Sequence, residues 1–343
     1  MKKQRYSQFE LIRLVAMFFV VTHHLIIKGA DVVGYITPYE YSKDGVCGVL
    51  INSLVVGGVN LFVLITGWFG IKHHIRSIIR IFIDCAVFGL LSYCIVAIIE
   101  NDFQIKKAIM SMSFHKNWFI ISYLMLILAS PIIEKSLENI NRKQLGTWIG
   151  LLSLLNIVFG FIMGKVNTDG YNVINFIFLY YIARYIRKYS EEKNYYNIKK
   201  IHLFSAYIAL SILLATIFIA FTITFNKQLP SKWWFGYNNP ILIISTIAFF
   251  LLFIKLKIQS SIVNNISKGV FGTYLLHTSP YIIPIRNEFT HKIYVQYGYI
   301  GIFIESIVIF ILCILLSSFI NKINTNITNK ISSQFKLKTS YAE

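Results

Sequence analysis

Charge is scarce in this chain of 343 residues: only 14% are Asp, Glu, Lys or Arg, and the 15 acids are outnumbered by 33 bases. With 56% hydrophobic residues and a mean hydropathy of +0.61, the composition excludes an ordinary soluble domain and fits a polytopic membrane protein. Cysteine is sparse too. Cys47, Cys85, Cys94 and Cys313 are widely spaced without a Cys-x-x-Cys pair, so they read as small core residues. No His-x-x-x-His pattern, zinc-ligand spacing, Gly-rich phosphate loop or Gly-x-Ser-x-Gly elbow occurs, which removes the common soluble metal, nucleotide and serine-hydrolase chemistries. There is no clear internal repeat and no low-complexity segment. The formal charge of +18 does not indicate nucleic acid, because the bases lie in short clusters between apolar runs and no reading motif accompanies them.

What is present in quantity is long apolar sequence. Runs able to cross a hydrocarbon core of about 30 Å cover 10–29, 46–70, 77–99, 117–134, 144–163, 171–187, 202–225, 240–256, 269–285 and 297–320. The predicted fold is therefore all-α, a polytopic integral membrane protein with about ten transmembrane helices. The sixth and ninth spans are the weakest, being short or broken by Pro280 and Pro284. On alternate sides of this map, 22 Lys and Arg fall with the N-terminal tail and 10 opposite, with Arg13 inside a span, which predicts that both termini are cytoplasmic. Residues 1–325 read as one membrane domain and 326–343 as a short basic cytoplasmic tail. Lys2-Lys3-Gln4-Arg5 resembles the start of a secretory signal, but the run behind it carries charge and lacks a small-residue cleavage site, so it reads as a retained first span. Trp118, Trp233 and Trp234 are expected at outer span ends as an aromatic belt. Gly146 and Gly150, and Gly160 and Gly164, form two small-xxx-small patterns that predict close helix packing.

Ionisable residues inside apolar runs are costly and mark candidate functional sites. The first span holds Arg13, His23 and His24. Eleven residues at about 100° each bring His24 back to within roughly 20° of Arg13, about 16 Å along the axis, whereas His23 points about 80° away. The remaining intramembrane candidates are Asp84, His277 and Glu305, with Arg76 and Arg80 at the inner mouth of the third span. Each has a plain structural alternative. Arg80 and Asp84, four apart, can form an internal ion pair, and His277 can make a packing hydrogen bond. Glu305 falls at a depth similar to His24, where a carboxylate could orient an imidazole, or it can bond to a hydroxyl such as that of Ser306. His73 and His74 sit in a basic loop and point apart on a helix, which makes a poor metal site.

Several of these residues lie in stretches that resemble the membrane-bound acyltransferase family three, bacterial integral-membrane O-acyltransferases. Glu10-Leu11-Ile12-Arg13, ten further residues and His24 resemble the family's acidic-x-x-Arg opening and Arg-x10-His motif. The stretch from Gly58 to Phe69, with Thr66-Gly67, resembles its "FFxxSG" span, Thr66 standing where Ser is usual. Arg76-Ser77-Ile78-Ile79-Arg80 resembles the basic start of its third span, although the paired arginines stand four apart. Asn117-Trp118-Phe119 resembles its "WFL" stretch, and Tyr274-Leu275-Leu276-His277 its "YLLH" stretch.

The resemblance implies transfer of an acyl group, most often acetyl, from a cytoplasmic acyl-CoA such as acetyl-CoA to a hydroxyl of a surface or lipid-linked carbohydrate, in the plasma (inner) membrane of a bacterium. It implies acyl-CoA as donor substrate with no permanently bound cofactor and no metal. His24, Arg13, Glu305 and His277 are the expected catalytic residues, and Arg76, Arg80 and Arg13 the expected donor-binding ones. The expected partners are the donor, the glycan acceptor and membrane lipids, with no nucleic acid. Imidazole suits the chemistry because a hydroxyl needs a base to become a nucleophile at neutral pH, and arginine suits phosphate. A transporter or flippase for a polar or glycan substrate is the competing reading, since buried charges would also serve a substrate pathway. An inverted repeat would favour it, and none is found.

Overall fold

The computed structural model describes residues 6–30, 43–72, 74–114, 117–189, 197–225 and 229–334. Lys2-Lys3-Gln4-Arg5, His73, Lys116, Lys193, Lys227 and residues 335–343 of the expected tail lie outside this set, as do the side chains of Lys43 and His74.

The described chain is helical, with no strand. In order, the elements are α1 (Ser7–His24), which runs on as a wide π-helical turn Leu25–Gly29, α2 (Lys43–Val55), α3 (Gly58–Phe69), α4 (His74–Glu100), α5 (Ile105–Ser111) and α6 (Trp118–Leu137). There follow α7 (Arg142–Ser153), continuing as π-helical Leu154–Ile162, α8 (Val173–Tyr189), α9 (Lys200–Phe225), α10 (Ser231–Trp234) and α11 (Pro240–Ile254). The last are α12 (Ser261–Ile266), α13 (Val270–His277) and α14 (Ile282–Gln334). Seven helices among the described residues are long and apolar enough to cross a membrane, which makes this an integral membrane protein. The other three expected spans correspond to shorter helices: α8 with 17 residues, α11 with 15 and α13 with 8.

Local sequence sets the helix starts. Asn117 accepts from the Ile120 amide at 3.2 Å, Asn141 and Gln144 form a reciprocal capping box, and Asn239 caps α11 just ahead of Pro240 at its first turn. These caps satisfy amides that would otherwise be orphaned at the helix ends. Gly70, at φ +73°, turns the chain sharply out of α3.

α1 is the hub, packing against α2, α3, α11, α12, α13 and α14. Its approach to α3 is close because Gly58 has no side chain: a Cβ there would stand 2.7 Å from the Ala16 carbonyl oxygen. Gly67 does the same for α3 against α8, 2.8 Å from the Tyr180 carbonyl. The small-residue patterns singled out in the sequence behave differently. Among the described residues nothing lies within 4 Å of a Cβ built on Gly146 or Gly150, both on the exposed face of α7, and Gly164 serves a turn at φ +63°. Gly160 alone of the four makes a close approach, to the Asn167 carbonyl oxygen. The tryptophans expected at outer span ends make specific contacts. Trp233 and Trp234 donate to the carbonyls of Phe161 and Leu214, and Trp118 stacks on Tyr171 at 4.3 Å between centroids.

α14 is two arms. Thr290 and Glu305 would stand about 22 Å apart on one straight helix, yet the Thr290 hydroxyl donates to Glu305 Oε1 at 2.8 Å. The chain therefore doubles back at Gly298, whose φ of 58° is open to glycine. Residues 286–296, left between the ninth and tenth expected spans, belong to the helical turn-back around Gly298 and include an exposed Glu288–Lys292 pair. The second arm runs back along α4.

Candidate functional site

Helix geometry separates the two adjacent histidines as their spacing predicts. His23 turns to α2, where its Nδ1 lies 2.7 Å from Asn52 Oδ1 in full burial. His24 turns to α13 and opens onto a cavity of about 480 Å³. Its Nδ1 stands 3.1 Å from His277 Nε2.

That contact has a direction. His277 Nδ1 lies 2.7 Å from the Thr273 carbonyl oxygen, one turn back on α13, and a carbonyl can only accept. His277 Nδ1 therefore carries the proton, and in the neutral ring Nε2 must accept. His24 Nδ1–H then donates to it, which leaves His24 Nε2 with a free lone pair. The broken ninth span builds this arrangement: α13 stops at His277, the chain crosses Pro280, and α14 starts at Ile282. Arg286 reaches back to cap the stop, its Nη1 donating to the His277 carbonyl at 2.6 Å. The π-helical turn follows His24 directly, a distortion frequent at functional sites.

The cavity wall also includes Lys28, Asn117, Trp118, Tyr274 and Arg286. The Tyr274 hydroxyl donates to Asn117 Oδ1 at 2.7 Å, tying α13 to the cap of α6. Arg286 is only 7% exposed, and its Nε has no hydrogen-bond partner among the described residues. The span map places Arg286 among the outer-loop bases, so sequence reasoning misses it. Its position just after Pro284 in an apolar run is the available signal.

The remaining expected site residues are placed as follows. Glu305 makes no hydrogen bond to either histidine among the described residues; Oε1 accepts from Thr290 and Oε2 has no hydrogen-bond partner among them, in a second, mostly apolar cavity of about 340 Å³ that His277 and Arg286 also line. Arg13 pairs with Glu10 at 2.9 Å, and its guanidinium lies 6.0 Å from the centroid of the Phe69 ring, at the far end of α1 from His24. Arg80 is held in a network. Its Nε donates to Asp84 at 2.7 Å, Nη1 to Thr325 and Nη2 to Asn321, while Asn324 donates to the other Asp84 oxygen. This is the internal ion pair, and it fastens α4 to the second arm of α14. Arg76 donates to Asn329 on the same arm. The structure thus brings His24 and His277 together, places Glu305 on a second cavity that His277 also lines, and leaves Arg13, Arg76 and Arg80 away from the pair.

A family model described as an acyltransferase domain matches residues 6–322. No curated protein and no solved structure matches the chain.

Proposed function

Because the chain belongs to acyltransferase family three and is an acyltransferase, we propose that it moves an acyl group, acetyl in the first instance, from acyl-CoA to a hydroxyl of a surface or lipid-linked carbohydrate, with His24 as the general base. The observation that carries this reading is the His24–His277 contact at the wall of a sizeable cavity. His24 Nε2 takes the proton of the acceptor hydroxyl as its oxygen attacks the thioester carbonyl. The tetrahedral intermediate collapses, the carbon–sulfur bond breaks, and the imidazolium returns the proton to the departing thiolate. An ester and free CoA thiol are the products.

His277 acts as a positioning residue, holding His24 in the tautomer whose lone pair is free. Arg286 and Lys28 supply positive charge at the cavity where the oxyanion develops. The protein sits in the plasma membrane of a bacterium with both termini cytoplasmic, so the Arg13 end of α1 meets the donor and the His24 end the acceptor.

The test is incubation of the purified full chain with acetyl-CoA labelled in the acetyl group and a panel of glycan acceptors. Label in an ester on the acceptor, with one CoA thiol released per ester, is expected. Binding or translocation of a glycan without any ester would instead assign the chain to transport.

A further inference from the structure

A second polar cavity, of about 410 Å³, opens at the end of the molecule opposite His24. Its wall is the turn Gly70–Lys72 after α3, Glu134 near the end of α6, Leu145 of α7, and Arg184, Arg187 and Lys188 at the end of α8. Four cations face one carboxylate. The frame is built by hydrogen bonds within the wall: Arg184 donates to Glu134 at 2.7 Å, Tyr180 donates to the same carboxylate, and the Ile71 amide donates to the Tyr180 hydroxyl at 3.0 Å. Lys188 bonds the Ile140 carbonyl at 2.9 Å, and Arg187 the Trp68 carbonyl at 2.5 Å. These contacts fix where the long basic side chains end, so the positive charge is held at the cavity before any ligand arrives.

We propose that this cavity binds the phosphate-bearing nucleotide end of the thioester donor. Phosphate is what a wall with three cations in excess recognises, and arginine matches it with paired, charge-assisted hydrogen bonds. Phe69 fixes the cavity's position along α1. Its ring forms part of the wall, stands 4.8 Å from Phe9 and faces Arg13. Phosphates bound here are about 16–22 Å along the α1 axis from the level of His24, a separation that calls for a donor with a long thin arm between phosphates and thioester, as CoA has. Arg76 and Arg80, the arginines the family resemblance pointed to, hydrogen-bond to α14 and do not line this cavity. This inference rests on the acyl-CoA reading above.

CoA without an acyl group is the probe, titrated into purified full-length protein in neutral detergent, with and without anionic phospholipid. Lys72→Ala combined with Arg187→Ala is expected to weaken CoA binding by at least about tenfold, the scale of losing charge-assisted phosphate contacts. In the transfer assay the same variant should raise the donor KM with kcat changed far less. Arg187→Lys, which keeps the charge, should recover part of the loss, and Lys135→Ala, an exposed base on the same side, should bind CoA like the parent. Unchanged CoA affinity in the double variant overturns the proposal. So does a loss confined to anionic lipid, which would make the cavity a headgroup site. If the parent binds CoA through these residues and yet transfers no acyl group, the cavity stands and the reading of the reaction fails.

Discussion

His277 is where one residue does most for another. With Nδ1 committed to the Thr273 carbonyl, its Nε2 dictates which nitrogen of His24 holds the proton. His277→Ala should lower kcat by at least about tenfold with little change in either KM, because the base loses its orientation while the cavity persists. His277→Gln should recover part of that rate, since an amide oxygen can accept from His24 Nδ1–H. A Gln variant no better than Ala in steady-state kinetics would show that His277 fills space and does not fix a tautomer. At this scale the sequence was partly legible. The unequal facing of His23 and His24 follows from helix rotation alone. The partner of His24 does not, because the tertiary packing of α13 on α1 brings together residues 253 positions apart, which no local periodicity encodes.

Between elements, close approach depends on what a glycine faces and not on its spacing from another. Gly58→Leu should destabilise the protein by about 1–3 kcal/mol, the scale of overpacking, because the α3–α1 contact leaves no room beside a backbone carbonyl. Gly146→Leu should leave the thermal midpoint in detergent unchanged, since only open space adjoins it. Equal effects would overturn this account of the packing. Arg80→Ala should be worse than either, removing the cation from a buried Asp84 and costing about 3–5 kcal/mol. Pairing Arg80→Gln with Asp84→Asn should recover a measurable part of the lost stability. The apolar runs made most helices readable, and Pro280 announced the break after His277. The first arm of α14 is not legible as a span, because charged and polar residues such as Arg286, Asn287, Glu288 and Lys292 interrupt the apolar run, and only the fold shows the helix they lie on.

For the whole molecule, two cavities of different composition lie toward the two ends of α1. The His24 cavity holds Lys28 and Arg286 among aromatic, amide, hydroxyl and apolar groups, whereas the cavity near Arg13 holds the four bases Lys72, Arg184, Arg187 and Lys188 with one carboxylate. This polarity fits two ends that face different compartments. The uneven distribution of Lys and Arg predicts that the Arg13 end is the cytoplasmic one. Reporter fusions after Lys200 and after Lys338 should both report the cytoplasm, and an external signal from either would break the proposed orientation. The count of spans was the least legible property, because α8, α11 and α13 are too short to be judged by length.

The most direct test of the account compares His24→Gln with His23→Gln in the labelled-acetyl transfer assay, at matched expression and thermal stability. Glutamine keeps a hydrogen bond at each position but cannot take a proton at neutral pH. His24→Gln should lose at least about a hundredfold in kcat, the contribution of a general base, while His23→Gln, facing Asn52 and not the cavity, should keep most of the parent rate. Full activity in His24→Gln, or equal loss in both variants, would contradict the assignment.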